Sequence, residues 1–308
     1  MIQHVSIPER IRIFFSRNEA LPKIILINII VWVLSLLIKN IAFLFTSPEA
    51  AATGTYSHSV AMTMMKYLAV PADPGSLLLH PWTLLTYMFF HLDFLHILFN
   101  MLWLYWFGKI FVQYLSQRQL LGTYLIGGIA GALLYILAFN VFPVFSIVKE
   151  SALALGASAS VLAIVVAISF YVPNYTIHLF LLGPVKIKYI AVFSVVLDVL
   201  MLDSGNPGGH LAHLGGALWG FAWAKMIPGR DPTRIFSKWS FLKMPDFRRR
   251  NKRFRVYTNP QRMTDEEYNK RKVEKQKRID AILDKISKSG YDSLTKEEKE
   301  LLFSNSRR

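Results

Sequence analysis

The chain has 308 residues, 53% of them apolar, and the apolar residues gather in long blocks. A block of about 20 apolar residues crosses the hydrocarbon core of a bilayer as a helix, and a soluble core does not need such blocks. The composition therefore indicates a membrane protein. Cysteine is absent, which excludes a disulfide framework, a thiolate zinc site and a cysteine nucleophile.

The net charge of +15 is concentrated in the C-terminal tail, where residues 228–308 hold 23 Lys and Arg against 12 Asp and Glu. Residues 247–255 read Phe-Arg-Arg-Arg-Asn-Lys-Arg-Phe-Arg. Anionic lipid head groups attract such a cluster at about 1 kcal/mol per charge. A solvated stop-transfer anchor is the alternative reading. We expect no nucleic-acid binding, because no nucleic-acid-binding motif accompanies the charge.

Six apolar segments predict membrane-spanning helices, because backbone exposed to lipid must satisfy its own hydrogen bonds. The predicted fold is all-α: a six-helix transmembrane bundle over residues 24–227, after a cytoplasmic segment of residues 1–23. The first segment has signal-peptide features, but it exceeds the usual apolar core of about 7–15 residues, so we expect it to be retained. The predicted spans are residues 24–45, 94–115, 121–142, 152–172, 187–202 and 210–227.

Basic residues mark one side of the predicted bundle. They precede the first span, occupy the second and fourth connections, and fill the tail. By the positive-inside rule both termini are cytoplasmic, and a bacterial inner membrane fits this pattern best. Residues 46–93 then form an external connection. It is far longer than the median loop of about 4–6 residues, so we expect structure within it.

Polar residues inside spans are costly in lipid and are therefore functional candidates. His96 and Asn100, four residues apart in the second span, share a helix face. Ser158 lies in the fourth span and His213 in the sixth. Because spans two, four and six enter from the same side, counting at 1.5 Å per residue places Asn100, Ser158 and His213 within about 5 Å of one depth.

This polar layer has the groups that amide hydrolysis needs. Ser158 would act as nucleophile, His213 as its base, and His96 and Asn100 as donors to the developing oxyanion. Small residues, among them Gly156 in the fourth span and the pair Gly216 and Gly220 in the sixth, would let the helices approach closely.

With these motifs the sequence resembles the rhomboid family of intramembrane serine proteases, over about Leu21 to Ile227. The resemblance implies a Ser158–His213 dyad without a third acid, an oxyanion site that includes the Ser158 amide, single-span transmembrane proteins as substrates and no cofactor. It rests on His91-x4-His96-x3-Asn100, Gly156-x-Ser158 and Ala212-His213-x2-Gly216-x3-Gly220.

Three positions depart from the family pattern. Trp82-Thr83 aligns with a Trp-Arg pair common in the external loop, which bears on loop anchoring. Ala159 follows the nucleophile where Gly is usual, and Leu162 stands where an aromatic partner for the histidine often occurs. Asp198 in the fifth span either orients His213 or hydrogen-bonds a neighbouring helix.

Two alternatives stay open on sequence grounds. A catalytically inactive rhomboid-like protein would bind transmembrane segments without cutting them, although the intact polar set argues against it. A metal site of imidazoles is the second alternative, and we expect none, because the spacing is not His-Glu-x-x-His. Instead His91 would brace the external loop and His210 would lie at the interface. The four histidines concerned are His91, His96, His210 and His213.

The end of the tail predicts a small helical hairpin. Gly290 ends an apolar helical stripe, and Thr295-x2-Glu298 is a capping-box pattern for a second helix. The hairpin resembles a short cytoplasmic extension of some bacterial rhomboids. The apolar residues are Ile279, Ile282, Leu283 and Ile286 in the first helix and Leu301 and Leu302 in the second.

Overall fold

The computed structural model describes residues 6–16, 19–53, 55–179, 183–203, 205–227, 231–238 and 265–306. The chain divides into two compact units. One comprises Met1–Phe111 with Gln117–Phe247, and the other comprises Val112–Ser116 with Arg248–Arg308.

Three helices are long and apolar enough to cross a membrane within the described part of the chain: α2 (Ala20–Leu44), α7 (Phe94–Tyr114) and α8 (Gln117–Val141). The remaining predicted spans also fold as helices, namely α9 (Ser158–Tyr171), α10 (Ile187–Leu200) and α11 (Pro207–Met226). The prediction of an all-α polytopic membrane protein is confirmed, and the number of six crossings stays a prediction.

Side chains cap the ends of two of these helices. The Gln117 side chain accepts hydrogen bonds from the amides of Ala20 and Leu21, which have no partner within α2. Asn206 caps α11 by accepting from the Gly209 amide at 3.0 Å, and Pro207 occupies the first turn. The Asn-Pro pair thus sets where the sixth helix begins.

The fourth predicted span is shorter than expected and begins at Ser158 rather than residue 152. The residues before it form β2 (Leu153–Ala154), which pairs antiparallel with β1 (Val70–Pro71). Gly156 then turns the chain with a φ of 116°, a conformation that L side chains rarely adopt. Ser158 is therefore the first residue of its helix, not a residue well inside it.

Helices α8, α9 and α11 pack through small residues. A Cβ atom placed on Gly216 would lie 2.1 Å from the carbonyl oxygen of Ala159, and one on Gly220 would lie 2.3 Å from that of Ala163. On the other side of α9, a Cβ on Gly127 would meet that of Ala163 at 2.3 Å. The backbones are in direct contact here, which is the packing that small residues allow in membrane helices.

Short elements fill residues 46–93. They include the hydrogen bond from Trp82 Nε1 to the Tyr67 carbonyl at 2.9 Å, which ties two of the short helices together. Asp73 caps one helix by accepting from the Ser76 amide, and this bond lowers the pKa of the Asp73 carboxyl. The helices are α3 (Pro48–Thr53), α4 (Thr55–Leu68), α5 (Pro74–Leu79), α6 (Thr83–Thr86) and the 3-10 helix Tyr87–Phe89.

A hairpin that the sequence did not predict connects α9 to α10. Its strands β3 (Thr176–Leu179) and β4 (Gly183–Lys186) pair antiparallel, with Thr176 opposite Lys186. The first described helix, α1 (Ile7–Ser16), precedes α2, and 3-10 helices span Pro143–Phe145 and Pro232–Lys238.

The second unit contains α12 (Asp265–Ser289), the 3-10 helix Tyr291–Ser293 and α13 (Lys296–Ser306). The capping box is present: the Thr295 amide donates to Glu298 Oε2 at 2.7 Å, and the Glu298 amide donates to Thr295 Oγ1 at 3.3 Å. Ile279 and Ile282 are buried, whereas Leu283 is 49% exposed. The basic cluster of residues 247–255 lies outside the described residues.

Candidate active site

The predicted polar residues line one cavity of about 1350 Å³. Its apolar walls come from α7, α9, α10 and the β3–β4 hairpin, and Leu162 is among them. Among the polar residues that line it are His96, Asn100, Ser158, Asp198 and His213. Helices distant in the sequence thus place a hydroxyl, an imidazole, a carboxylate and two further donors around one space.

Asp198 holds the candidate base. Its Oδ1 atom lies 2.8 Å from Nδ1 of His213 and 2.8 Å from Nδ1 of His210. A carboxylate only accepts hydrogen bonds, so each Nδ1 carries the hydrogen. The lone pair of a neutral His213 ring then lies on Nε2, and that nitrogen is left to accept a proton.

This geometry bears on the two readings of Asp198 and on the expected position of His210. The hydrogen bond from His213 to Asp198 fits both readings, because it joins neighbouring helices and also reaches the candidate base. The position of His210 at the interface stays a prediction, whereas its hydrogen bond to Asp198 was not predicted. Three residues before His213 on the same helix face, His210 shares the carboxylate, and its side chain is only 17% exposed.

Ser158 stands at the start of α9, where the first amides of a helix have no partner within the helix. Together with the helix dipole, these amides make the helix start favourable for negative charge. Among the described residues no hydrogen bond links Ser158 to His213. Contacts between a nucleophile and its base are often looser before substrate binds.

Ser158 also borders a second, smaller cavity of about 260 Å³. Its lining includes Asp93 and Asn206 in addition to His96 and Gly156. Ser158 and His96 thus border both a large, mainly apolar cavity and a small polar one. This arrangement offers separate places for an apolar peptide and for water.

His96 and Asn100 lie on the first turns of α7, close to the segment before Ser158. A Cβ atom on Gly156 would lie 2.8 Å from His96 Nε2, so the ring reaches the residue that precedes the helix start by two positions. The side-chain amide of Asn100 donates through Nδ2 to the His96 carbonyl at 2.8 Å. That bond uses one of its two amide hydrogens and leaves the other for a ligand.

His91 and Tyr87 hold the chain that leads into Ser158. The fully buried His91 ring accepts from the Ala157 amide at 3.2 Å and contacts the His96 ring edge-on. The Tyr87 carbonyl accepts from the Gly156 amide at 2.8 Å. His91 therefore braces the helix start, and the part of Tyr87 was not predicted because a backbone carbonyl leaves no signal in a sequence.

The departures have local explanations. Thr83 is fully buried and donates from Oγ1 to the His80 carbonyl at 2.7 Å, so it stabilises the turn in which it lies. Ala159 is almost completely buried between Gly131 and Gly216, where its Cβ fills the helix contact. At the position of Leu162 there is no ring to contact His213, which hydrogen-bonds Asp198.

The histidines fall into two groups. His91 and His96 contact each other, whereas His210 and His213 meet at Asp198. Within the described residues, one set of donor atoms comes close enough to hold a metal ion, namely Asp198, His210 and His213, all within 4.8 Å of one another. The four-histidine site considered from the sequence is therefore not the arrangement found.

Comparison with known proteins agrees with the fold. Residues 79–230 match the rhomboid domain family, and residues 263–308 match a family of unknown function (DUF6576). The RHOMBOID-like protein 12, mitochondrial, of Arabidopsis thaliana is 33% identical over 158 residues, which are 48% of this chain and 47% of the relative. The chain thus spans about half the length of this curated relative.

A helical membrane bundle that carries these motifs defines a polytopic integral membrane protein. Residues 79–230 of the chain are thus a rhomboid domain. The resemblance in the sequence is confirmed at the level of the family.

Proposed function

We propose that the protein is an intramembrane serine endopeptidase that cleaves transmembrane segments of other membrane proteins near the external face. The observation that carries the proposal is the shared cavity, in which Ser158 and His213 stand with His96 and Asn100. The hydrogen bond from His213 Nδ1 to Asp198 supports it further, because it leaves Nε2 as the basic nitrogen.

In the first half of the reaction, Ser158 Oγ attacks the scissile carbonyl carbon while His213 Nε2 takes the hydroxyl proton. General base catalysis of this kind contributes about 10²–10⁴-fold. The carbonyl oxygen becomes negative and is stabilised by the Ser158 amide and by His96 and Asn100. When the C–N bond breaks, His213 returns the proton to the leaving amine, and an acyl-enzyme remains on Ser158.

In the second half, water attacks the acyl carbon and gives its proton to His213. The ester bond to Ser158 breaks, the serine recovers its proton and a carboxylic acid product leaves. The small cavity beside Ser158 and His96 supplies a polar place for this water. Throughout, the Asp198 carboxylate keeps the imidazole in one tautomer and stabilises the imidazolium, which is the part of a positioning residue.

The large cavity indicates the substrate class. Aromatic and aliphatic side chains line it, for example Phe99 and Trp103 of α7 and Phe193 of α10. An extended apolar peptide fits this lining. A helical peptide bond is shielded by its own hydrogen bonds, so the substrate segment must unwind before it reaches Ser158.

The test is cleavage of a single-span reporter by the full chain in liposomes. We expect Ser158→Ala and His213→Asn to abolish cleavage. Ser160→Ala is the matched control, because Ser160 is a fully buried serine of the same helix that does not line the cavity. Equal product from wild type and Ser158→Ala would exclude the serine mechanism. Reporter binding without any cleavage by the wild type would instead support the inactive rhomboid-like alternative.

We also propose that both termini are cytoplasmic, in a bacterial inner membrane, on the strength of the positive-inside pattern. The cysteine-free chain is a clean background for labelling. Ser151 and Ser287 are both exposed. A membrane-impermeant maleimide should label Ser151→Cys in intact spheroplasts and Ser287→Cys only after permeabilisation. The reverse pattern would invert the proposed topology.

A further inference from the structure

The Asp198–His210–His213 cluster has an unusual feature: one carboxylate oxygen accepts from two imidazoles. Both Nδ1 atoms, which belong to residues of α11, lie 2.8 Å from the same Oδ1 of Asp198 on α10. Orienting a catalytic base requires one such bond. The second imidazole, His210, is not used by the reaction described above.

We infer that this cluster binds a divalent transition-metal ion of the zinc type, and that the bound ion switches off His213. Two imidazoles and a carboxylate form a donor set that zinc favours, with a fourth position left for water. Mg²⁺ and Ca²⁺ prefer oxygen ligands, so nitrogen donors select against them. This inference differs from the sequence-based expectation that no metal binds. Its inhibitory half rests on the proposed function.

The spacing of the donors suits such an ion. Zinc lies about 2.0–2.2 Å from imidazole nitrogen and carboxylate oxygen. The three donor atoms lie within 4.8 Å of one another, so small side-chain rotations place an ion between them. The donors come from α10 and α11, and helices hold ligands more rigidly than loops do.

The cluster is also accessible. Asp198 and His213 line the large cavity, and the side chains of Asp198, His210 and His213 are 10%, 17% and 26% exposed. A hydrated ion can therefore reach the cluster through the cavity and exchange water for the three protein ligands.

Metal binding would change the tautomer of His213. In the metal-free form, Nδ1 carries the hydrogen and Nε2 carries the lone pair. An ion bound at Nδ1 uses the lone pair of that nitrogen, so a neutral ring then carries its hydrogen on Nε2. The hydrogen moves from Nδ1 to Nε2 through solvent, without net release from the ring. His213 can no longer accept the Ser158 proton, and cleavage stops.

Binding is tested separately from activity. Zn²⁺ titration by calorimetry uses the full-length Ser158→Ala protein, purified without a histidine tag, and we expect one site. In this background His210→Gln should weaken Zn²⁺ binding by at least about 10- to 100-fold. Mutation of a residue that only hydrogen-bonds a metal ligand already lowers metal affinity by that factor. The matched control is His178→Gln, because His178 lines the same cavity on β3 but stands outside the cluster. Co²⁺ absorption gives a second readout of coordination.

Inhibition is tested on the active protein. Zn²⁺ should abolish reporter cleavage, and a chelator should restore it. The rate of each protein is expressed relative to its own rate without zinc. The Zn²⁺ concentration that halves this rate should be higher for His210→Gln than for the wild type, by the factor found in the titration. No binding to the Ser158→Ala protein, or equal binding after His210→Gln, would overturn the site. Binding without inhibition would overturn the switch. If the wild type cleaves nothing, the proposed function fails, and the titration still decides the metal site.

Discussion

Helix α11 has two faces that hold His213 by different means. Towards α8 and α9, its glycines contact backbone directly, as at Gly216 against Ala159. Towards α10, it presents His210 and His213 to a carboxylate. The first face fixes where the helix lies, through shape alone. The second fixes how one ring is turned and which nitrogen carries a hydrogen. The position and the protonation of the proposed base are therefore specified by separate contacts.

The largest effect on cleavage is expected on the face of α11 that packs against α8 and α9. Gly216→Ala places a methyl group 2.1 Å from the Ala159 carbonyl oxygen, and backbone gives way only if the helices separate. Overpacking of this kind costs about 1–3 kcal/mol. A shift of about 1 Å at the base alone costs about 100-fold in rate, and separating α9 from α11 also displaces Ser158, so we expect cleavage to fall below detection. The midpoint of thermal unfolding should fall as well.

Gly205→Ala is the control for this variant, because a Cβ atom there meets nothing within 4 Å. It should match the wild type in reporter cleavage and in melting temperature. A Gly216→Ala protein with wild-type activity would contradict the backbone contact between α9 and α11.

A smaller loss of activity is expected on the face of α11 that presents His210 and His213 to Asp198, and it should affect kcat more than KM. Asp198→Asn keeps the size of the side chain but removes the charge, and its amide can donate to Nδ1 and favour the wrong tautomer. We expect kcat to fall about 100-fold, within the range for acid–base catalysis, while KM changes little. Asp198→Glu should recover part of kcat. If Asp198 had only a structural role, Asp198→Asn would change the melting temperature without lowering kcat at nearly constant KM.

Much of this arrangement could be predicted from the sequence, and the rest could not, for physical reasons. Apolar block length located the helices, because the bilayer imposes it. The start of α9 was placed too early, because pairing between β1 and β2 joins residues far apart in the chain. The bond between His210 and Asp198 was not predicted, because periodicity does not fix how α10 and α11 are rotated against each other.

A still smaller effect is expected at Gly156, which lies two residues before the start of α9 and against the His96 ring. Gly156→Ala puts a methyl group 2.7 Å from the His96 ring and forces an L residue into a φ of 116°. Backbone strain of this kind costs about 1–3 kcal/mol. His96 can yield as a side chain, so we expect about a tenfold loss in kcat, since one displaced donor costs less than a displaced base. Unchanged kcat would show that His96 does not act on the oxyanion.

The smallest effect concerns the tail unit, which carries none of the residues assigned to catalysis. Glu298 accepts from the Thr295 amide and pairs with Lys285 at 2.9 Å, and both contacts lower the pKa of its carboxyl. A lowered pKa in the folded state stabilises the capped helix above the ordinary glutamate pKa, and the gain disappears as the pH falls through the lowered value. Glu298→Gln should therefore speed hydrogen exchange at Thr295 at neutral pH, and match the wild type in strong acid. Reporter cleavage should stay at the wild-type rate, because these contacts of Glu298 are with Thr295 and Lys285 of the same unit. A pH-independent difference in exchange between the two proteins would contradict the ionised cap.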